Sequence, residues 1–361
     1  MRILVDGSSI DPQQKGVGNY AYHLVAQLAE RTGHSIHVLV HSEAAACQLS
    51  GLGVTTHVRS PCAEVVKGLW QVPAEIRRLD INLLVSANEC IAFFHRVPRI
   101  AVCHDIDELI VRAQQPTRLY RRALNRLWSS LRVVGLRRCR AVICNSRFVQ
   151  QQVVAAYQVD QARTALAYCG VDPVFSDVAT EPATEDGGYL RLFATGDSRE
   201  NPQLIPELIA ALRRLGVDTP VRVGTGPDSR WLEDAIGEAD VRDVSFFDFV
   251  PWRERSRLVR IYRDAVIYVE LSAHEGFGMQ LAEAMATGTV CVSSGRGALT
   301  EVGGPYAINL GSLDPEQIAV TIRNTLSARD STRGAPAQVE WTRRYSWKLM
   351  GKVLTDALEG A

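Results

Sequence analysis

Two glutamates, Glu275 and Glu283, lie eight residues apart in the string HEGFGMQLAEAMATG, on either side of a turn that contains two glycines. An apolar run that predicts a strand at Ala265–Glu270 precedes the turn, and a helical pattern at Met279–Ala286 follows it. Free N–H groups at the start of a helix, with the positive end of its dipole, suit an anion such as a diphosphate. Carboxylates on the flanks are poorly placed to bind the anion, but they can accept hydrogen bonds from hydroxyl groups. The string therefore predicts a site for a diphosphate with a sugar on one flank and a ribose on the other.

The rest of the chain repeats the strand-and-helix pattern that would hold such a turn in place. Short apolar runs alternate with segments of helical spacing along both halves of the chain. Alternation of this kind predicts the α/β class, with parallel sheets covered by helices on both faces. The predicted strands are Arg2–Asp6, Ser35–Val40, Ile81–Ser86, Ile100–Cys103, Ala141–Cys144, Leu190–Ala194, Val221–Val223, Val244–Phe247, Ala265–Glu270 and Val290–Ser293.

One acidic segment, DVATEPATEDGG at residues 177–188, interrupts this alternation. It contains small residues, a proline and two glycines but no apolar periodicity, so it predicts an interdomain linker. The linker separates an N-terminal domain, residues 1–176, from a C-terminal domain, residues 189–344, and a helical pattern at Trp341–Leu358 ends the chain. Two α/β halves joined by a short linker predict a cleft between domains, where ligands tend to bind.

Composition excludes several classes of protein. The 361 residues are 46% hydrophobic and 22% charged, and the formal net charge of zero provides no global field to recruit nucleic acid. Eight cysteines are scattered without a C-x-x-C pair, which indicates reduced thiols and neither a disulfide framework nor a zinc site. The first residues enter a strand pattern directly, and no apolar run is long enough to span a bilayer. We therefore expect a cytoplasmic protein.

The motifs resemble family 4 of the retaining glycosyltransferases, in particular its mannosyltransferase-like bacterial group. The resemblance covers nearly the whole chain and depends on landmarks in the family's order. It implies the GT-B fold, in which two Rossmann-like domains face each other across a cleft and a C-terminal helix, here residues 345–361, crosses back to the N-terminal domain. The landmarks are KGVGNY, CHDID, CNSRFV, GVDPVF, YRDAVIYVELS, the two glutamates Glu275 and Glu283 in EGFGMQLAEAMATG, VCVSSGRGALTEVGG and RRYSW.

The resemblance also implies a role for each matching residue. Glu275 would contact the sugar hydroxyls, His104 would lie near the reacting carbon, and Arg199 would hold the diphosphate of the donor. Glu283 would bind the ribose diol. The remaining donor contacts would come from two glycine-containing loops, at Gly16, Gly18, Gly276, Phe277, Gly278, Met279 and Gln280.

The reaction implied is a retaining transfer from a GDP- or UDP-linked sugar to an acceptor that the sequence does not identify. A glycan, a lipid carrier and a small natural product all remain open as acceptors. In this family the departing phosphate takes the acceptor's proton, while N–H groups and cations stabilise the charge that grows on the diphosphate. No cofactor and no metal ion are expected, because Asp105 and Asp107 beside His104 fit supporting roles better than the role of a metal-binding pair.

One position departs from the family pattern. The family places an arginine and a lysine on the diphosphate, whereas this chain has Arg199 followed by Glu200, with no lysine between positions 68 and 347. A carboxylate about 4 Å from a phosphate oxygen would repel it by several kcal/mol, so we expect Glu200 to point away. The substitution keeps open a second interpretation, a catalytically inactive GT-B-like binding or partner protein. A third interpretation is a sugar-nucleotide epimerase or a sugar phosphorylase, because these enzymes share the fold.

A basic amphipathic stretch at residues 117–140 offers a separate alternative. Its leucines and Trp128 keep helical spacing, while arginines populate the opposite face. Such a helix can rest on an anionic membrane. We favour packing on its own domain instead, because the apolar stripe is no wider than a core-facing helix needs. Peripheral membrane contact is therefore an alternative that the sequence allows but does not favour.

Overall fold

The computed structural model describes residues 1–11, 16–88, 92, 95–105, 130–179, 188–194, 198–225, 230–237, 243–248, 254–328 and 336–360. The chain divides into two compact units, the first comprising Met1–Gly170 with Ser346–Ala361 and the second Val171–Tyr345. Each unit contains one parallel sheet with helices between its strands. The predicted class, α/β with two Rossmann-like domains, is confirmed.

The first unit is built on a parallel sheet of seven strands in the order β3-β2-β1-β4-β5-β6-β7. Its strands are β1 Arg2–Asp6, β2 Ser35–Val40, β3 Thr55–Val58, β4 Leu83–Ser86, β5 Arg99–Cys103, β6 Ala141–Cys144 and β7 Thr164–Leu166. Its helices include α1 Val17–Arg31, α2 Glu43–Gln48, α3 Glu64–Val66, α4 Val72–Arg78 and α5 Arg147–Tyr157, with a π-helical turn at Lys67–Gln71 and a 3₁₀ turn at Gln161–Arg163. In the register, Ile3 pairs with Ile36 on one side and with Leu83 on the other.

The second unit is built on a parallel sheet of six strands in the order β10-β9-β8-β11-β12-β13. Its strands are β8 Tyr189–Ala194, β9 Val221–Thr225, β10 Val244–Asp248, β11 Ala265–Glu270, β12 Val290–Ser293 and β13 Ile308–Asn309. Its helices include α6 Pro173–Asp177, α7 Leu204–Arg214, α8 Arg230–Gly237, α9 Arg255–Arg263, α10 Met279–Ala286, α11 Leu299–Gly303, α12 Pro315–Ser327 and α13 Pro336–Thr342, with a 3₁₀ turn at Ser198–Glu200.

Local capping explains where several helices begin. The hydroxyl of Ser146 accepts a hydrogen bond from the N–H of Val149 at 3.1 Å and so starts α5. Asp314 does the same for α12 through the N–H of Gln317, with Pro315 at the first helical position. These polar caps lie where the chain leaves a strand or loop and begins a helix.

The order of the strands determines where loops can meet. In the second sheet the chain moves outward from β8 through β9 to β10 and then returns to the other side of β8 as β11. Ligands of open α/β sheets bind beyond the carboxyl ends of the strands at such a reversal point. Here the reversal point lies beyond Ala194 and Glu270, so the loops that carry Arg199 and Glu275 lie at the same edge. The reversal in the first sheet lies between β1 and β4.

The two faces of strand β8 contact different layers. Leu190, Leu192 and Ala194 belong to an apolar cluster that includes Ile205 of α7. Tyr189, Arg191 and Phe193 alternate with them and point to the opposite face, because successive side chains of a strand alternate. Every residue of β8 is buried, as expected of a parallel strand covered on both faces.

The end of the chain differs from the prediction. The helical pattern at Trp341–Leu358 forms two helices, α13 in the second unit and α14, Trp347–Glu359, in the first, so the prediction of a single helix was wrong. The break has a physical cause. Tyr345 is buried and its hydroxyl donates to the carbonyl of Val302 at 3.0 Å, which holds the connection against the second unit.

Helix α14 packs in the first unit against α1. The ring of Trp347 stacks on His23 with centroids 4.1 Å apart, and Arg31 donates to the carbonyl of Lys348 at 3.0 Å. A side chain at Gly170 would collide with Trp347, so the first unit accommodates this tryptophan closely. The C-terminal segment thus returns to the N-terminal unit.

The boundary between the units lies after Gly170, six residues before the predicted end of the N-terminal domain at 176. Residues from Val171 onward belong to the second unit because α6 packs there. Phe175 lies 6.1 Å from the ring of Tyr262, and Asp172 forms an ion pair with Arg255. Most of the predicted linker, residues 180–187, lies outside the described residues.

Two further predictions concern thiols and membranes. The seven described cysteines are all outside disulfides, and five of them are buried; Cys90 lies outside the described residues. Among the helices that the structure describes, none is both long and apolar enough to cross a membrane. Most of the basic stretch at residues 117–140 lies outside the described ranges, although residues 130–137 are helical.

Candidate functional site

The turn between β11 and α10 depends on Gly278. This residue is the N-cap of α10 with φ +89°, in the left-handed region that favours glycine. A Cβ at this position would lie 2.5 Å from Cδ2 of Leu299, so the space is also closed to a side chain. The helix has no side-chain cap in the described structure, and its backbone bond from Ala282 N–H to Gly278 O is 3.2 Å long. The N–H groups of residues 279–281 therefore precede that bond and point out of the helix start, as an anion site requires.

The loop that carries Glu275 is tied to the loop after β12. The N–H of Ala298 donates to the carbonyl of Glu275 at 2.9 Å. Ser294 donates through its N–H to the carbonyl of Glu270 at 2.8 Å and through its hydroxyl to the carbonyl of Ser272 at 2.6 Å. Glu275 is half-buried, while Gly276 and the following two residues are buried. The backbone of the loop is thus held in place while the glutamate side chain stays partly accessible.

The loop after β8 is joined to the same region. The N–H of Ala273 donates to the carbonyl of Arg199 at 2.6 Å, and the side-chain amide of Asn201 donates to the carbonyl of Leu271 at 2.8 Å. Arg199 and Glu200 are both half-buried. The structure therefore brings Arg199 beside the glutamate loop, and it leaves an acidic residue next to the arginine.

Glu283 lies on the first turns of α10, one turn after Met279 on the same face. One carboxylate oxygen, Oε2, accepts a hydrogen bond from the hydroxyl of Tyr262 at 3.3 Å. Burial, followed by the negative charge of Glu283, raises the pKa of Tyr262 well above its ordinary value. Tyr262 therefore keeps its proton and acts as a donor.

A second buried acid ends strand β11. Glu270 accepts hydrogen bonds from the hydroxyl of Tyr268 at 2.5 Å and from the N–H and hydroxyl of Ser272 at 3.1 and 2.6 Å. The oxygen of Tyr268 also lies 3.3 Å from Oε1 of Gln280 at the start of α10. Tyr268, Glu270 and Ser272 belong to the landmark YRDAVIYVELS, for which the family resemblance implied no role. The signal available was a tyrosine and a glutamate, Tyr268 and Glu270, within the otherwise apolar run AVIYVE.

Arg191 is a buried cation beneath this site that sequence analysis also missed. Its guanidinium carbon lies 4.0 Å from the ring centroid of Phe193, a cation–π contact. A Cβ at Gly224 would lie 2.6 Å from the guanidinium, so the glycine makes room for it. Burial lowers the pKa of Arg191 to about 9, which leaves it charged at neutral pH.

His104 follows strand β5 in the first unit and is half-buried. Its Nε2 lies 2.8 Å from the carbonyl of Ala87, and its ring meets the edge of Tyr20 with centroids 4.8 Å apart. The side-chain amide of Asn145 donates to the carbonyl of His104 at 3.1 Å. These contacts fix the orientation of the imidazole at the carboxyl edge of the first sheet.

The glycine loop begins helix α1. Gly16 is its N-cap, with φ +63°, and nothing lies within 4 Å of a Cβ built there, so the loop has open space beside it. Gly18 is buried in the first turn. The buried Oδ1 atoms of Asn19, the next residue, and of Asn145, which follows strand β6, have no hydrogen-bond partner in the described structure. Residues 12–15 lie outside the described ranges.

A buried lysine anchors the neighbouring π-helical turn. Lys67 is 1% exposed and donates to the hydroxyl of Ser8 at 2.7 Å and to Glu64 at 2.9 Å, with Asp6 at 3.4 Å. Asp6 is the last residue of β1, so this cluster ties the π-helical turn to the edge that carries the glycine loop. The sequence showed a rare lysine here but no sign of its partners.

The predicted site residues thus fall into two groups. Glu275, residues 276–280, Glu283 and Arg199 share one edge of the second sheet. His104, Gly16 and Gly18 lie at the corresponding edge of the first sheet. Asp107 lies outside the described residues, and within the described ranges no three His, Cys, Asp or Glu side chains are grouped to hold a metal ion.

Both halves of the chain match known families. Residues 14–175 match the family described as Glycosyltransferase Family 4, and residues 189–328 match the one described as Glycosyl transferases group 1. Among curated proteins, the D-inositol 3-phosphate glycosyltransferase of Mycolicibacterium gilvum is 26% identical over 229 residues, 57% of this chain and 48% of the relative. The corresponding protein of Nocardioides sp. is 28% identical over 249 residues, 61% of this chain and 53% of the relative. The chain therefore spans about half the length of the curated relatives it matches.

Solved structures show the same fold. Sucrose-phosphate synthase of Thermosynechococcus elongatus has a TM-score of 0.77 at 17% identity, covering 100% of this chain and 98% of its own. HepE of Anabaena, solved in complex with UDP and glucose, has a TM-score of 0.75 at 17% identity and covers 100% of both chains. At this identity the likeness concerns the fold alone.

Proposed function

Because the chain belongs to family 4 of the glycosyltransferases and has the GT-B fold, we propose that it transfers a sugar from a nucleotide-diphosphate sugar, with retention of configuration and without a metal ion. One observation carries this proposal. The glycine-capped start of α10, with its outward N–H groups, lies between two partly accessible carboxylates, Glu275 and Glu283.

In the proposed complex the diphosphate of the donor lies at the start of α10. The N–H groups of residues 279–281 and the positive end of the helix dipole would attract it. Arg199, whose backbone is tied to Ala273 at 2.6 Å, would add a guanidinium that binds two phosphate oxygens. Glu283 would accept from the ribose diol and Glu275 from the sugar hydroxyls.

The proposed reaction is a substitution on one face of the sugar. The bond between the anomeric carbon and the phosphate oxygen breaks, and the acceptor oxygen bonds to the same face of that carbon. The acceptor's proton passes to the departing phosphate. Negative charge on the diphosphate grows during this step, so preorganised N–H groups and Arg199 stabilise the transition state more than the bound donor. On the family pattern, we assign His104 to the sugar and the loop at Gly16 and Gly18 to the donor phosphates.

For the donor we propose GDP or UDP as the nucleotide, and for the acceptor a polyhydroxylated compound. HepE was solved with UDP, and the curated relatives are named for D-inositol 3-phosphate, so these are the first compounds to test. Cytoplasmic location stays a prediction from the sequence.

The proposal is tested by titrating the purified protein with UDP, GDP, ADP and dTDP in a calorimeter. We expect one or two of them to bind and Glu283→Ala to weaken that binding. The matching sugar nucleotide is then incubated with inositol 3-phosphate and other polyols, with and without EDTA, and the product's anomeric configuration is read by NMR. An inverted product, or turnover that EDTA abolishes, would contradict the corresponding part of the proposal.

A second candidate is a GT-B protein that binds partners without catalysing transfer. Glu200, half-buried beside Arg199 where the family has a lysine, favours it. The same titration separates the two candidates. Binding of none of the four nucleotides supports the inactive protein, whereas binding followed by turnover of a sugar nucleotide supports the enzyme.

A further inference from the structure

We propose that Tyr262 is a positioning residue that orients the carboxylate of Glu283 for recognition of the ribose hydroxyls. This inference rests on the proposed function, in which Glu283 binds the ribose. Tyr262 has no place in the predicted site, and it lies 21 residues from Glu283 in the chain. Its hydroxyl nevertheless reaches Oε2 of that glutamate at 3.3 Å.

The ring of Tyr262 is held by aromatic neighbours from three other elements. It is fully buried in the last turn of α9. Its ring centroid lies 5.7 Å from that of Tyr268 on β11, at an interplanar angle of 86°, and 6.2 Å from that of Phe193 on β8. Phe175 of α6 lies 6.1 Å away. Because buried rings packed in this way occupy one rotamer, the hydroxyl has a fixed position.

The backbone of Tyr262 is tied to α10 as well. Its carbonyl accepts a hydrogen bond from the hydroxyl of Thr289 at 2.7 Å. The side chain of Thr287 lies 2.9 Å from that hydroxyl and itself donates to the carbonyl of Ala284 at 2.8 Å. The amide of Gln338 donates to the carbonyl of Thr289 at 3.0 Å. Tyr262 and the helix that carries Glu283 are therefore parts of one buried frame.

This frame can determine the plane of the carboxylate. The torsion next to a glutamate carboxylate is broad, so a helix alone does not fix the plane. A donor at a fixed position removes that freedom by binding one oxygen. An ionised carboxylate has about four lone-pair sites, so the bond from Tyr262 leaves sites for the two ribose hydroxyls. The raised pKa of Tyr262 ensures that it always donates and never competes as an anion.

The experiment uses Tyr262→Phe, which removes the hydroxyl and keeps the ring. The matched control is Tyr189→Phe. The hydroxyl of Tyr189 donates to the carbonyl of Ile261, in the same helix as Tyr262, at 2.7 Å. The control therefore also removes a partly buried hydrogen bond but does not touch Glu283. Each variant is titrated with the nucleoside diphosphate that binds best and with its 2′,3′-dideoxy form.

We expect the wild-type protein to prefer the ribonucleotide over the dideoxy form. Tyr262→Phe should reduce that preference about threefold to tenfold, the scale of one typical hydrogen bond, with unchanged affinity for the dideoxy form. Tyr189→Phe should leave the preference unchanged. Thr289→Val removes the hydroxyl that donates to the carbonyl of Tyr262 at 2.7 Å and leaves Glu283 itself unchanged. It should lower the preference in the same direction, and it serves as a second variant if Tyr262→Phe folds poorly.

Three results would overturn the inference. If Tyr262→Phe weakens both nucleotides equally, the tyrosine has only a structural role. If it changes neither nucleotide while Glu283→Gln abolishes the preference, Glu283 binds the ribose without help from Tyr262, and the proposed function survives. If Glu283→Gln keeps the full preference, the ribose assignment itself is wrong and the inference fails with it.

Discussion

Gly297 lies directly against the backbone of Glu275. A Cβ at position 297 would come within 2.5 Å of the carbonyl oxygen of Glu275 and within 2.8 Å of its amide nitrogen. The next residue, Ala298, donates its N–H to that same carbonyl at 2.9 Å. Gly297 also has φ +64°, in the left-handed region. The glutamate loop can therefore adopt its position only because residue 297 has no side chain.

Gly297→Ala should displace the glutamate loop. The added methyl group meets backbone atoms that cannot move independently, so we expect turnover to fall by about tenfold or more, the scale of a misplaced catalytic group. The matched control is Gly216→Ala. Gly216 also has a positive φ, +73°, but nothing lies within 4 Å of a Cβ built there, so this variant meets no clash and costs only the conformational strain of about 1–2 kcal/mol. Steady-state kinetics and thermal unfolding of both variants check this. Equal losses of turnover in the two variants would contradict a specific role of Gly297.

Arg199→Ala should weaken binding of a nucleoside diphosphate by about 10- to 100-fold, because it removes charge-assisted hydrogen bonds to phosphate. The affinity for the nucleoside alone should hardly change. The neighbouring variant Glu200→Gln should change diphosphate affinity less than about threefold if Glu200 points away from the phosphates, as expected from its charge. Calorimetry with the diphosphate and the nucleoside measures both effects. A large gain of affinity in Glu200→Gln would show that the carboxylate faces the diphosphate.

Trp347→Ala should destabilise the first unit by about 3–5 kcal/mol, the usual cost of removing a large buried side chain. Trp347 is 8% exposed, stacks on His23 and joins α14 to α1. On the same helix Leu349 is 52% exposed, so Leu349→Ala should cost less than about 0.5 kcal/mol. Urea unfolding followed by circular dichroism compares the two variants. Similar midpoints would mean that α14 is not needed for the stability of the first unit.

The first unit should lose stability as the pH falls from about 7 to 5. Burial lowers the pKa of both His37 and His57, with help from Arg2 and then Arg78 at His37 and from Arg78 at His57. Nδ1 of His37 lies 3.0 Å from Nε2 of His57. At pH values below the unfolded pKa of about 6.5, the unfolded chain binds protons that the folded chain does not, so unfolding becomes more favourable. The stability that the two uncharged histidines contribute is fully present above that pH. It is lost as the pH falls towards their pKa values in the folded protein.

Thermal unfolding between pH 5 and 7.5 measures this dependence. The double variant His37→Gln, His57→Gln should show a flatter curve than the wild type, because neither glutamine titrates. If the unfolding temperature of the wild type instead rises as the pH falls through this range, the predicted direction is wrong.

Local patterns were sufficient for most elements near the site. The bounds of β1, β2, β6, β11 and β12 and of α10 agree with the predicted ranges, because each strand is a short, mainly apolar run and α10 is a helical pattern bounded by glycine. The terminal pattern was misinterpreted, since the burial of Tyr345 that separates α13 from α14 has no local signal. The assigned roles of Glu275, His104 and Arg199 stay predictions until ligands and variants are measured.

The amino-acid order alone was enough to indicate two parallel α/β domains, the family and the glycine-bounded turn between two glutamates, because these depend on residues close together in the chain. Folding decided which distant residues support that turn. The hydrogen bond from Asn201 to Leu271 spans 70 residues, and the contact between the rings of Phe193 and Tyr268 depends on β8 lying beside β11. Strand order is set by how whole sheets bury their apolar faces, so no local pattern shows that Tyr262 will meet Glu283.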